Sequence, residues 1–126
     1  MENFHRIDVY QKAVVLSRDV ADLVTRFPQR YSRLAQQLDD AAESIGSNIA
    51  EGCGRRNRSN GNAELIRYLH MSFGSACEVE HRLGGAHHRR LIDDATYARL
   101  NGLVIEVKRM LCGWIRSLRD DDRGRQ

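Results

Sequence analysis

The sequence is poor in the residues that turns and pleated sheets need. It has one proline, Pro28, and aromatic residues make up only 6% of its 126 positions. An all-β protein uses more of both, in its turns and on its pleated faces, so the composition argues against that class. No apolar run approaches the roughly 18 residues of a membrane-spanning helix, and the first residues lack the hydrophobic stretch of a signal peptide. We therefore expect no membrane association and a cytoplasmic location.

Cysteine and net charge are also scarce. The three cysteines, Cys53, Cys77 and Cys112, are an odd number and form no C-x-x-C pair. Such spacing is untypical of a disulfide framework or a zinc site, so we expect reduced thiols that pack as small apolar side chains. The 20 basic residues exceed the 17 acidic ones by only three at pH 7. This surplus is compatible with a nucleic-acid ligand but does not require one.

What the chain does have is a regular apolar pattern. In four segments, apolar residues recur at alternating intervals of three and four, which is the spacing of one helix face. The longest of these seams consists of Tyr97, Leu100, Val104, Val107, Leu111, Trp114 and Leu118. The pattern predicts helices at about 8–27, 32–52, 62–84 and 93–119, followed by a disordered tail at 120–126.

The predicted helix ends carry matching signals. Pro28 stops the first helix because its ring clashes with the preceding turn, and the Gly84-Gly85 pair is expected to end the third. Asp93 and the acid after it are suited to cap the start of the fourth. Helices joined by such short links run antiparallel. We therefore predict one all-α domain over the whole chain, 1–126, built as an antiparallel up-down-up-down four-helix bundle.

This topology sorts the loops between the two ends of the bundle, and basic residues crowd both ends. The candidate nucleic-acid-binding residues are Arg30, Arg33, His87, His88, Arg89 and Arg90 at one end and Arg55, Arg56 and Arg58 at the other. The first end has the larger surplus of positive charge, which makes it the stronger candidate for phosphate contacts. A solvated loop end is the alternative. Neither the 55–58 run nor the 87–90 run has interleaved aromatic residues, so base stacking on a single strand is not indicated.

The second helix carries small and polar residues where a bundle would prefer leucine. Gly46 and Asn48 lower the helix propensity of this segment. In one interpretation the helices pack closely here, and the Asn48 amide is hydrogen-bonded inside the bundle and fixes its register. In the other, a polar pocket or a subunit contact lies near Asn48 and Glu51. Gly52 and Gly54 are expected to end the helix in the left-handed conformation that glycine tolerates.

The same segment carries a resemblance. With Val9-Tyr-Gln-Lys-Ala13 before it and Gly74-Ser-Ala-Cys-Glu-Val-Glu80 after it, the chain resembles the bacterial four-helix-bundle family called 23S rRNA-intervening sequence proteins. The matching motif residues are Ser44, Ile45, Asn48, Ile49, Ala50, Glu51, Gly52, Gly54, Arg55, Gly74, Ser75, Glu78 and Glu80. The resemblance extends over nearly the whole chain, so it covers all four predicted helices.

The resemblance implies a cytosolic protein that assembles as a ring-like homopentamer. A more distant similarity, to the accessory variability proteins of diversity-generating retroelements, implies binding of nucleic acid and of a reverse-transcribing protein. The chain departs from the family pattern at Tyr10, where Trp is common, and at Phe73, where a small residue is common. The resemblance carries no catalytic residue and no cofactor over to this chain.

Three aromatic side chains also predict self-association, independently of the resemblance. Tyr10, Tyr68 and Phe73 lie off the apolar seams, at positions where an isolated bundle would prefer polar groups. Exposed apolar surface on several helices usually marks an interface. We therefore expect the chain to associate with copies of itself through these side chains, whereas the number of copies rests on the resemblance alone.

Enzymatic chemistry has weaker support. Glu78 and His81 form a Glu-x-x-His pair of the kind that binds di-iron centres in bundles, but the seam positions place both away from the core. The sequence suggests no nucleophile with an oriented base and no phosphate-binding loop. A metal or polar pocket around Asn48, Glu51 and Glu80 is the enzymatic hypothesis that stays open.

The preferred hypothesis is a non-enzymatic bundle, without metal or cofactor, that self-associates and binds RNA or DNA through its basic ends. The alternative is a structural or protein-interaction scaffold that binds no nucleic acid. Such a scaffold would serve an RNA-processing or reverse-transcribing protein.

Overall fold

The chain forms four α-helices joined by short links. The computed structural model describes residues 4–56 and 61–124, with side chains from residue 8 onward. The helices are α1 (Phe4–Val24), α2 (Ser32–Gly54), α3 (Ala63–His88) and α4 (Asp94–Gly124), and a single 3₁₀ turn (Gln29–Tyr31) precedes α2. No strand occurs in these described parts of the chain. The all-α prediction is therefore confirmed.

The predicted apolar seams form the core of a four-helix bundle. Each helix packs against its two neighbours in the cyclic order α1, α2, α3, α4. Leu16, Leu38, Leu69 and Leu111, one from each helix, are fully shielded from solvent, and Trp114 is buried beside them. Full burial of one such leucine stabilises the fold by about 1.5–3 kcal/mol. Among the described helices, none has the length and apolarity needed to cross a membrane.

Pro28 sets the turn between α1 and α2. The helix ends at Val24, before the predicted end at Phe27, because a residue that precedes proline is held out of the helical region. The 3₁₀ turn starts directly after the proline, and the Tyr31 N–H donates to the Pro28 carbonyl at 2.8 Å. This turn carries Arg30 to the end of the bundle.

The Gly84-Gly85 pair does not end α3, so that prediction is wrong. The helix continues to His88. Each glycine weakens a helix by about 1 kcal/mol relative to alanine, a cost that contacts elsewhere in the fold can offset. Ala86 is fully buried after the pair, so the extra turn gains an apolar contact.

A hydrogen-bonded cap ends α3 instead. The Leu91 N–H donates to the Ala86 carbonyl, and the Arg90 N–H donates to the His87 carbonyl, both at 3.0 Å. This pattern requires a left-handed residue after the helix, a place usually taken by glycine. Here Arg90 occupies it with φ 60°, a conformation that costs a non-glycine residue on the order of 1 kcal/mol.

At its C-terminal end α4 continues to Gly124, so the prediction of a disordered tail is wrong for residues 120–124. The reason is a contact with the start of α3. Asn62 is 1% exposed; its backbone N–H donates to the Asp122 carboxylate at 3.2 Å, and its amide donates to the same carboxylate at 3.1 Å. This contact holds the last turn of α4 against the bundle.

Gly52 and Gly54 are not left-handed, contrary to the expectation. Both belong to α2, and the left-handed glycine of the described residues is Gly61, with φ 66°. A Cβ atom at Gly52 would lie 2.7 Å from Cβ of Tyr68 and 3.2 Å from Cδ1 of Leu65. Gly52 therefore allows α2 and α3 to approach closely.

Candidate nucleic-acid interface

The up-and-down topology brings the 3₁₀ turn and the start of α2 beside the last turns of α3. A cleft of about 340 Å³ lies between them, and we call it the basic groove. It is lined by Arg30, Tyr31, Arg33, Leu34, Gln37, His81, Arg82, Gly85 and Arg89. Three of the predicted binding residues therefore lie in one cleft, although Arg30 and Arg33 are more than 50 residues away from Arg89 in the sequence.

The lining of the basic groove contains four arginines and no carboxylate. Arg30 stacks over the Tyr31 ring at 5.0 Å, and an Arg89 guanidinium nitrogen donates to the Gly85 carbonyl at 3.2 Å. The nearest paired acid is Glu78, whose carboxylate is 3.6 Å from Nε of Arg82. Four arginines therefore line one cleft whose lining holds no carboxylate, and Glu78 pairs with one of them from outside that lining.

Arg82 has an unsatisfied donor at this site. Its Nε is shielded from solvent and has no hydrogen-bond partner among the described residues. A buried donor without a partner lowers stability by about 1–3 kcal/mol, and such groups call for an explanation. The Glu78 carboxylate, 3.6 Å away, is the acceptor that a small side-chain movement would bring within hydrogen-bond distance.

His81 and Arg82 were not among the predicted binding residues. The signal that would have found Arg82 is its spacing, because Arg89 follows it by seven residues and therefore lies two turns further along the same helix face. His81 is exposed, in agreement with its predicted surface position, and it lines the same groove.

The remaining predicted residues of this end lie in a different hollow. His87, His88 and Arg90 line it together with Asp93 and Asp94. The two acids offset much of the basic charge, so this hollow is a weaker anion site than the basic groove.

His87 is held in place within that hollow. Its Nε2 is 2.7 Å from the Asp94 carboxylate, and its ring stacks on Tyr97 with centroids 4.1 Å apart. The imidazole is therefore engaged by side chains of α4.

At the opposite end, Arg55 and Arg56 are also engaged by neighbours. Nε of Arg55 donates to the Glu51 carboxylate at 2.7 Å, and this hydrogen bond raises the pKa of the Arg55 guanidinium. Nε of Arg56 donates to the Asn62 side chain at 2.9 Å. Arg58 lies outside the described residues. Both described arginines of this predicted cluster are therefore engaged by polar side chains.

The polar segment of α2 packs against α3 through hydroxyl groups. The Asn48 amide donates to the Ser44 carbonyl at 2.9 Å and to the Ser44 hydroxyl at 3.0 Å, and the Ser75 hydroxyl donates to that same hydroxyl at 2.9 Å. One turn away, the fully buried Ser72 donates to the Ile45 carbonyl at 2.8 Å. The Ser75 and Ser72 bonds join α3 to α2, whereas both Asn48 bonds stay within α2.

The acids of the open enzymatic hypothesis have separate partners. Glu51 is exposed and pairs with Arg55, whereas Glu80 accepts a hydrogen bond from Lys108 of α4 at 2.7 Å, which raises the pKa of the lysine. Asn48 bonds to Ser44 of its own helix. Among the described residues no three His, Cys, Asp or Glu side chains come together as a metal-binding group.

The three predicted interface side chains differ in exposure. Tyr10 is 42% exposed, whereas Tyr68 and Phe73 are half-buried. Phe73 packs against the core and lies 5.5 Å below the ammonium of Lys108. The other large apolar side chains exposed in the described structure, missed from the sequence, are Val15, Met71 and Ile105.

Comparisons with known proteins agree with this fold. The sequence model of the 23S rRNA-intervening sequence protein family matches residues 5–113. A solved structure from Bacteroides thetaiotaomicron, described as a protein with unknown function from the S23 ribosomal protein family, superposes with a TM-score of 0.80 at 21% sequence identity. The match covers 90% of this chain and 99% of that one. Comparison with curated proteins gives no significant match.

Proposed function

The chain belongs to the family of 23S rRNA-intervening sequence proteins, and from that premise we propose that it is a non-enzymatic cytoplasmic bundle that self-associates and binds the backbone of RNA or DNA. The observation that carries the binding proposal is the convergence of four arginines on the basic groove. They come from the 3₁₀ turn, the start of α2 and the end of α3, and the groove lining includes no carboxylate.

The chemistry of the groove suits phosphate more than bases. A guanidinium group is planar, weakly hydrated and able to hold two phosphate oxygens at once. Tyr31, the tyrosine that lines the groove, has the Arg30 guanidinium over its ring at 5.0 Å. Contacts of this kind position a nucleic acid without reading its sequence.

Self-association is the second part of the proposal. Tyr10, Val15 and Ile105 leave apolar surface exposed on α1 and α4. A ring-like pentamer, which the family resemblance implies, would repeat the basic groove around one assembly and so strengthen its field. The alternative is a scaffold for an RNA-processing or reverse-transcribing protein. That scaffold would bind its partner protein and would have no affinity for nucleic acid.

A salt titration tests the binding proposal. Four phosphate contacts to duplex RNA predict that the logarithm of the association constant falls with the logarithm of salt concentration with a slope of about −3 to −4 per protomer. Fluorescence anisotropy with a labelled RNA duplex between about 50 and 200 mM salt measures this slope. Absence of binding at the low-salt limit, or a slope near zero, would refute backbone binding and favour the scaffold.

A further inference from the structure

A second groove, of about 370 Å³, lies between α3 and α4, and we call it the α3/α4 groove. Side chains of both helices line it, and none of them lines the basic groove, so the two sites can be changed independently. A cleft of this size falls within the range of pockets that hold small organic molecules. The described lining of the α3/α4 groove contains no carboxylate.

One end of the α3/α4 groove is apolar. Phe73 packs against the hydrophobic core, Ile115 is 5% exposed, and the Cys112 thiol lines the groove beside them. The ammonium of Lys108 lies 5.5 Å from the centre of the Phe73 ring, but it donates a hydrogen bond to Glu80 at 2.7 Å. Lys108 is therefore paired, and the apolar end has no unpaired charge beside Phe73.

The other end of the α3/α4 groove is basic. Along α4, Arg119 and Arg123 follow Ile115 by one and two helical turns. A nitrogen of the Arg119 guanidinium lies 2.9 Å from Nε2 of His70 on α3. Because an arginine side chain has only donors, the imidazole nitrogen accepts this hydrogen bond. The bond holds Arg119 at the edge of the groove without pairing it with a negative charge.

The three arginines of this groove differ in how their charges are balanced. Arg123 forms an ion pair with Asp120. In the part of the chain that the structure describes, Arg116 has neither an ion-pair nor a hydrogen-bond partner, and Arg119 contacts no carboxylate. Both of these side chains are exposed. Two arginines without a negative partner therefore stand next to an apolar floor.

We propose that the α3/α4 groove binds a small amphipathic organic anion, a medium-chain carboxylate, which is a function beyond the binding of a nucleic-acid backbone. Its hydrocarbon tail lies on Phe73 and Ile115, and its head group lies between Arg116 and Arg119. A guanidinium can hold both oxygens of a carboxylate, and contact with the tail removes the apolar floor from water. The single charge of a carboxylate suits this site, because Asp120 already balances the third arginine.

The two ends of the groove together determine this class of ligand. An inorganic anion would pair with the arginines and leave the apolar floor exposed to water, whereas an uncharged apolar molecule would leave the arginines unpaired. The edge of α4 from Cys112 to Arg123 is about 16 Å long, at about 1.5 Å per helical residue. Decanoate in its extended form fits within this length, so we choose it as the probe.

Equilibrium dialysis with radiolabelled decanoate tests the proposal on the unchanged chain. We expect saturable binding of one decanoate per chain, with a dissociation constant of about 1 mM or lower, as is typical of a ligand of this size. Decyltrimethylammonium has the same tail and a positive head group, and acetate has the same head group without the tail. Both should bind about ten-fold or more weakly than decanoate, because each loses one of the two contacts.

Two variants then locate the site. Arg116→Ala with Arg119→Ala removes the contacts to the head group, and Cys112→Trp fills the apolar end; all three side chains are exposed, so the core stays intact. Each variant should bind decanoate about ten-fold or more weakly. The control, Arg26→Ala with Arg109→Ala, removes two exposed arginines that line neither the α3/α4 groove nor the basic groove. It should bind decanoate as the wild type does, and circular dichroism confirms that each variant is folded.

Two results would overturn the inference. If the wild type binds decanoate no more tightly than acetate or decyltrimethylammonium, the groove does not select an amphipathic anion. If both groove variants bind decanoate as tightly as the control does, the ligand lies elsewhere on the chain. The RNA titration reports on the basic groove, so either result leaves the proposed function standing.

Discussion

At the scale of single residues, the close contact of α2 with α3 depends on Gly52, which has no side chain. The glycine is buried inside α2, where its lack of a side chain lets Tyr68 and Leu65 pack against the helix backbone. Gly74 on α3 is also helical, but nothing lies within 4 Å of the place where its Cβ would be. Both glycines lower helix propensity by the same amount, but only Gly52 has neighbouring atoms where a Cβ would be.

Substitution of these two glycines should therefore act in opposite directions. Gly52→Ala places a Cβ 2.7 Å from Cβ of Tyr68, and we expect the free energy of unfolding to fall by about 1–2 kcal/mol, the overpacking penalty less the gain in helix propensity. Gly74→Ala, the matched control, should raise it by up to about 1 kcal/mol. Urea denaturation at one fixed protein concentration measures both. A Gly52→Ala chain as stable as Gly74→Ala would show that the helices are not in close contact there.

At the scale of helices, the start of α4 is set by a carboxylate. Asp93 immediately precedes the helix, and the Thr96 backbone N–H donates to its side chain at 2.7 Å. This hydrogen bond, with a second one from the Thr96 hydroxyl, lowers the pKa of Asp93. A carboxylate whose pKa is lower in the folded chain stabilises the fold above its unfolded value of about 3.9, and that contribution is lost as the pH falls towards the folded value.

The consequence is a specific pH dependence. We expect Asp93→Asn, which keeps a good cap but does not titrate, to lose less stability than the wild type as the pH falls through about 4 towards 2. Asp93→Ala should be less stable than either at neutral pH. Thermal unfolding followed by circular dichroism across that range gives the comparison. Identical acid profiles for the wild type and Asp93→Asn would show that the charge at this cap does not contribute.

The helix ends also show how far the sequence alone could go. The alternation of three and four predicts the four helices and their buried faces, because the burial of each seam dominates the energetics of a bundle. The ends at Gly84 and at residue 120 were predicted wrongly, because local propensity was overruled by contacts from elsewhere. Burial of Ala86 extends α3, and the pairing of Asn62 with Asp122, 60 residues apart, extends α4.

Part of the candidate site could likewise be predicted from the sequence, and part could not. That Arg30 and Arg33 lie beside Arg89 follows from the antiparallel topology and could be predicted. Arg82 could also have been found, because it lies two helical turns before Arg89 on the same face of α3. The engagement of His87 by α4 was out of reach, since it depends on the path of a loop.

At the scale of the whole molecule, a net charge of only +3 is distributed unevenly. One end carries the basic groove with its four arginines, and the edge of α4 that faces α3 carries Arg116, Arg119 and Arg123. The lining of the basic groove holds no carboxylate, so it is the surface to which we expect a large anion to bind.

The most direct test of this account compares the two ends of the bundle. The variant Arg30→Ala with Arg89→Ala removes two cations of the basic groove, and Arg55→Ala with Arg56→Ala removes two at the opposite end, where Glu51 and Asn62 already engage them. Binding of each variant to the same RNA duplex is measured by anisotropy over a salt series. We predict that the groove variant binds about ten-fold or more weakly, with a salt slope shallower by about two, while the other variant stays close to the wild type. Equal binding by the groove variant and the wild type would contradict the assignment of the basic groove as the nucleic-acid interface.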